Sequence, residues 1–193
     1  MQQVAETSYF VRVIREQLAN IEGVPEADHA HLVYGGQSQG SLVGAIHASV
    51  SDQFVAYALN GVSSSFTLTM LHREDLLDFE LLIRGFLEVG NGEFGLYHPG
   101  LQLVQMGADT VDPHTYAPYW KGWVGNPRGN NVFVVNGKED RTTVAEGMAN
   151  LAMVSNAAPI ATPGWDVDPD GVWTGAPVSL PISGNVTSHA GDP

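Results

Sequence analysis

Apolar positions fall at helical spacing over residues 8–20 (SYFVRVIREQLAN), with Phe10, Val11, Ile14 and Leu18 on one side and Arg12, Arg15 and Glu16 on the other. This periodicity predicts an amphipathic helix that stops near Gly23 and Pro25. The period then changes. HLVYGG (31–36) is a short apolar run closed by glycines, and SLVGAIHASV (41–50) contains no helix breaker. Together they predict a strand, a tight turn and a helix in succession. FVAYALNGV (54–62) and NVFVVNG (131–137) are further apolar runs. Both are too continuous for half-exposed strands, so a parallel sheet covered on both faces is expected.

Between the second and third runs, EDLLDFELLIRGFLEVG (74–90) predicts a strongly apolar helix and HPGLQLVQMGADTV (98–111) a shorter one. TTVAEGMANLAMV (142–154) is again helical in pattern. Beyond Ser155, Pro, Gly and Asp dominate, and PVSLPIS (177–183) is the one strand candidate. No internal repeat is visible. Strands alternating with helices predict the α/β class, with a mostly parallel sheet of about three to four strands and flanking helices.

Composition narrows the function by exclusion. Twenty-one Asp and Glu against eight Lys and Arg give a net charge of −13. A field of that sign repels phosphate backbones and anionic membrane surfaces, so nucleic acid is not an expected partner. No apolar run approaches the roughly 18 residues that a membrane helix needs, so no membrane span is expected. The chain has no Cys, which removes disulfides, thiol catalysis and zinc-thiolate sites.

The turn after the first predicted strand reads Gly36-Gln37-Ser38-Gln39-Gly40, a GxSxG pattern in the strand-to-helix setting that a nucleophile elbow needs. A serine on so sharp a turn takes a strained backbone, and small residues two places before and after it let strand and helix pass. Its hydroxyl then stands clear of the helix. The N–H groups at the helix start, above all that of Gln39, face the same space and suit a developing oxyanion. The alternative is an ordinary glycine-rich turn.

On these residues the sequence resembles the α/β-hydrolase fold family, and more loosely its bacterial serine esterases and lipases. In that family an acid follows a later strand in a Gly-x-x-Asp turn, and NVFVVNGKEDRTTV (131–144) is similar, with Gly137 three places before Asp140. The resemblance implies Asp140 as the acid of a catalytic triad. Glu139 is its competitor, because a one-residue slip in strand register exchanges their directions. The resemblance also implies a division of the chain: residues 1–65 and 124–193 as the C-terminal part of an α/β-hydrolase core, and 66–123 as a helical cap-like insertion.

The base is expected to follow the acid. Of seven His, only His189 lies beyond Asp140, so it is the candidate in chain order, with a residue beyond Pro193 as the alternative. The family resemblance further implies several strands before the nucleophile, one of whose loops supplies a second oxyanion N–H. Only 37 residues precede Ser38. The expectation is therefore a fragment lacking the N-terminal strands, weakly active or inactive, with a sheet edge open to self-association.

Two other motifs have duller readings beside the functional ones. Asp166-Val167-Asp168-Pro169-Asp170-Gly171 opens like a calcium loop, but its twelfth position is Pro177 rather than a bidentate Glu, so an acidic turn is expected. Asp112-Pro113-His114-Thr115-Tyr116-Ala117-Pro118-Tyr119 resembles a segment found between cap and third strand in bacterial members of the family. Its aromatics either line an acyl pocket or pack the cap.

The resemblance thus implies a serine hydrolase of carboxylic-ester or lipase type. Its catalytic residues would be Ser38, Asp140 and His189, with Gln39 in the oxyanion hole. A small hydrophobic ester would be the substrate, and neither metal nor organic cofactor is needed. Acyl transfer to an alcohol other than water uses the same residues. The alternative from another class is a non-catalytic α/β-hydrolase-like binding or interaction module that keeps the elbow without a complete triad.

Overall fold

The computed structural model describes residues 1–23, 28–73, 75, 78–90, 94–137, 139–158, 160 and 178. Strands β1 (Val33–Gln37), β2 (Ala56–Asn60) and β3 (Asn131–Val135) form an all-parallel sheet in the order β1-β2-β3. Val33 faces Ala56, which faces Asn131, so the strands start and end in step. Helix α1 (Gln2–Glu16) precedes β1, and α2 (Gln39–Val50) connects β1 to β2. Among the described residues, four α-helices lie between β2 and β3: α3 (Phe66–His72), α4 (Phe79–Leu87), α5 (Pro99–Ala108) and α6 (Pro113–Tyr116). After β3 comes α7 (Ala145–Ser155). The chain is an α/β protein with flanking helices.

The core forms where α2 meets the sheet, and small residues make that approach close. Ser41, Gly44, Ala45, Ala48 and Ser49 of α2 are all buried. A Cβ on Gly44 would strike the Tyr34 ring and lie 2.7 Å from Leu59 Cδ2. Around this contact Val11, Phe54, Tyr57, Leu59, Val62, Trp120 and Leu151 pack into one apolar cluster. Burying the helix end requires partners for its last carbonyls. Asn130 supplies them, its Nδ2 donating to Ala48 O at 2.6 Å and Ser51 O at 2.8 Å. Trp120 Nε1 donates to Ala45 O at 2.8 Å, which anchors the segment before β3 on the same helix.

His47 is fully buried in this core. Its Nδ1 lies 2.8 Å from Tyr57 OH and its Nε2 3.0 Å from Ser8 Oγ, so α1, α2 and β2 meet on one imidazole. Burial lowers the imidazole pKa and raises that of the Tyr57 phenol, because each loses the water that would solvate its charged form.

Several expectations are corrected. The apolar runs do not make strands covered on both faces. Tyr57 and Leu59 point into the core, whereas Val33, Phe133 and Val135 on the other face stay exposed. Side chains alternate along a strand, so an apolar run does not say whether both faces are covered. The single helix expected over 74–90 is α4 alone, which Asp78 caps by accepting from Leu81 N at 2.8 Å. Helix α3 was not expected, its seven residues giving under two helical periods. In α1 the buried positions are Val4 and Val11, and Phe10 is exposed, because α2 covers a narrower stripe than the apolar face. Of the strand expected over 177–183 only Val178 is described, in a parallel bridge with Ile160. The acidic turn at 166–171 lies outside the described residues. Among the described residues, no helix is long and apolar enough to cross a membrane.

Candidate active site

Ser38 is the single residue between β1 and α2, and its backbone sits at φ 52, ψ −118. A non-glycine residue with φ in that range carries strain of about 1–3 kcal/mol and persists only where its surroundings impose it. Three contacts impose it here. Ser38 N donates to Asn60 O at 2.9 Å, tying the turn to the end of β2. Ser41 Oγ, fully buried, donates to the same carbonyl at 2.8 Å and accepts from Asn60 N at 3.0 Å. Tyr34 OH donates to Gly40 O at 2.7 Å, pulling the first turn of α2 toward β1.

The two motif glycines differ in what they allow. A Cβ on Gly36 would lie 2.8 Å from Gly40 C and O and 2.9 Å from Ser41 N, all backbone atoms. A Cβ on Gly40 would meet nothing within 4 Å. The close passage of strand and helix therefore rests on Gly36. A serine at a helix start ordinarily turns its hydroxyl back onto the helix N–H groups. Ser38 makes no such capping bond and is exposed. The first amide of α2 to find an acceptor across the turn is Ser41 N, on Ser38 O at 2.9 Å. Gln39 N and Gly40 N precede that bond and face the helix start. The Gln39 side chain turns toward α1, its Nε2 3.5 Å from Gln3 Oε1.

Asp140 follows β3 in a turn closed by its own N–H on Gly137 O at 3.3 Å. Its Oδ1 accepts from Thr142 N at 2.8 Å and Thr143 N at 2.9 Å. Its Oδ2 approaches Gly61, which follows β2 at φ 64. A Cβ on Gly61 would lie 3.9 Å from Asp140 Oδ2 and 3.8 Å from Ser38 N. Ser38 and Asp140 thus flank one glycine at the carboxyl ends of the parallel strands. Ser38 N and Asp140 Oδ2 are therefore separated by no more than the sum of these two contacts. Glu139 is exposed, and Asp140 is half-buried.

His189 lies outside the described residues, so its place relative to Ser38 and Asp140 is not among them. Five of the six described histidines are engaged elsewhere, and the buried Nδ1 of the sixth, His29, has no hydrogen-bond partner among the described residues. His47 is in the core, His31 Nδ1 meets Asp28, and His114 Nδ1 is 2.8 Å from Asn150 Oδ1. His98 caps α5 through Gly100 N, and His72 Nδ1 is 3.8 Å from Glu146 Oε1.

Ser41, which the sequence reading left out, and Asp112, which it named only in a segment read for its aromatics, organise this end of the sheet. Ser41 bridges the elbow to β2, and its signal was only a polar residue on an otherwise apolar helix. Asp112 is buried, and its carboxylate accepts from Ser65 N at 3.0 Å, Phe66 N at 2.6 Å, His114 N at 2.9 Å and Gln105 Nε2 at 2.9 Å. It pins the segment before α6 to the start of α3. The aromatics after it divide: Trp120 is buried in the core and Tyr119 is exposed. Among the described residues, no group of three or more His, Cys, Asp and Glu is arranged to hold a metal ion.

No family model, curated protein or solved structure matches the chain.

Proposed function

We propose that the chain is a serine hydrolase acting on carboxylic esters, with Ser38 as nucleophile and Asp140 as the acid of the triad. The observation that carries the reading is the strained, uncapped Ser38, whose backbone amide and the Asp140 Oδ2 both lie beside Gly61. A serine held at φ 52 with its hydroxyl off the helix serves no capping purpose, and strain of this kind clusters at reactive sites.

In this mechanism Ser38 Oγ bonds to the ester carbonyl carbon while its proton passes to a histidine, and the carbonyl oxygen becomes an oxyanion near Gln39 N. The bond to the alcohol oxygen then breaks and the histidine returns the proton to the departing alcohol. Water repeats the sequence on the acyl-serine: its oxygen bonds to the carbonyl carbon, its proton goes to the histidine and then to Ser38 Oγ, and the acid leaves. Asp140 orients the imidazole and stabilises it while charged. His189 is the histidine that chain order offers for this part.

The test is reaction with a fluorophosphonate, which modifies only an activated serine, together with hydrolysis of p-nitrophenyl butyrate. Labelling should map to Ser38, vanish in Ser38→Ala, and slow by about 10²-fold or more in Asp140→Asn and in His189→Ala. A folded chain that leaves Ser38 unlabelled would overturn the proposal in favour of a non-catalytic binding module.

A further inference from the structure

One ion pair near the acid is used by neither the fold core nor the mechanism above. Arg73 follows α3, and its Nε and Nη2 hold Asp75 at 2.5 Å and 2.8 Å, a fork on a carboxylate. The two side chains are 26% and 19% exposed. The Arg73 guanidinium also lies over the Phe79 ring at 5.5 Å, which fixes it from the α4 side. Asp75, paired mainly, raises the pKa of Arg73, and Asp140 adds to the effect, so the guanidinium also feels the candidate acid.

The connection to Asp140 is direct. Thr142 Oγ1 donates to Asp75 Oδ2 at 3.1 Å, while the N–H of the same Thr142 donates to Asp140 Oδ1 at 2.8 Å. Thr142 is thus held at both ends, by its hydroxyl on the segment after α3 and by its amide on the acid. A carboxylate with one oxygen so fixed cannot rotate freely, and its other oxygen is left for the side of Gly61.

The geometry points to Arg73 and Asp75 as positioning residues that, through Thr142, set the direction of the Asp140 carboxylate. The inference rests on the hydrolase reading for its purpose, but the orientation it describes is measurable without turnover. The pair joins a segment between β2 and β3 to the acid loop after β3, so a shift in α3 or α4 would reach the acid.

The experiment follows hydrogen exchange of the Thr142 and Thr143 amides by NMR in the full chain, in Asp75→Ala, Thr142→Val, Thr142→Ser and the double variant Asp75→Ala/Thr142→Val. Exchange of both amides should quicken at least fivefold in Asp75→Ala and in Thr142→Val, and return to within twofold of the parent in Thr142→Ser, which keeps the hydroxyl. The double variant should be no faster than Asp75→Ala, because both changes break one link. Fluorophosphonate labelling of Ser38 should slow about tenfold in Asp75→Ala and Thr142→Val, as expected when a reacting group is misplaced by a fraction of an ångström, and recover in Thr142→Ser.

Exchange in Asp75→Ala or Thr142→Val equal to the parent, effects that multiply in the double variant, or normal labelling of these variants would each overturn the inference. A parent chain that is never labelled overturns the hydrolase reading instead, and the amide exchange alone then decides the orientation. Thermal unfolding of each variant separates loss of the link from loss of the fold.

Discussion

The elbow's two glycines should respond oppositely to the same substitution. In Gly36→Ala the new methyl would lie 2.8 Å from Gly40 C and O and 2.9 Å from Ser41 N. These are backbone atoms of the first turn of α2, and none can rotate away as a side chain would. Relief requires α2 to back off from β1, which stretches the 2.9 Å bond from Ser38 N to Asn60 O and the 2.7 Å bond from Tyr34 OH to Gly40 O. Overpacking of this kind costs about 1–3 kcal/mol. In Gly40→Ala the methyl enters open space in a helix, where alanine is favoured over glycine by up to about 1 kcal/mol.

Urea unfolding at 25 °C by far-UV circular dichroism measures both, compared at a common m-value. For a domain of this size 1 kcal/mol is worth about 2–4 °C of Tm, so Gly36→Ala should melt about 2–12 °C below the parent and Gly40→Ala at or slightly above it. Equal destabilisation by the two, or a Gly36→Ala variant as stable as the parent, would refute the steric account of the elbow.

Asp112→Ala should destabilise by about 3 kcal/mol, since it removes the buried carboxylate that accepts from the amides of Ser65, Phe66 and His114. Urea unfolding followed by tryptophan fluorescence checks it, and a loss under 1 kcal/mol would mean that water replaces the carboxylate. His47 should make the fold acid-sensitive. Burial holds its pKa below the unfolded value near 6.5. Between those two values the unfolded chain binds a proton that the folded chain does not, so stability is full above about pH 6.5 and falls as pH drops through the window, by up to about 1.4 kcal/mol per pH unit. Unfolding free energies from pH 7.5 to 5 should slope less in His47→Gln, and an unchanged slope would remove His47 as the source.

The order of the three strands and of helices α1, α2, α4, α5 and α7, the α/β class and the strand-to-helix setting of Ser38 were legible in the sequence, because each depends on a run of neighbours: apolar stretches, glycines at fixed offsets, an unbroken helical pattern. The unequal roles of Gly36 and Gly40 were not legible, since the two look alike in the motif and differ only in which backbone passes beside them. Nor was the exposed face carrying Phe133 and Val135, because the sequence of a strand reports that its residues are apolar and not which elements pack on them. Asp140 was marked as an acid in a turn by the family resemblance, with Glu139 as its competitor. The approach of Asp140 Oδ2 and Ser38 N to Gly61, the bridge of Ser41 to Asn60, the bonds from Ser65 N and Phe66 N to Asp112 and the bond from Thr142 to Asp75 join residues far apart in the chain. Such contacts come from the parallel register of three strands and the return of the chain between them, and no window of sequence contains both partners.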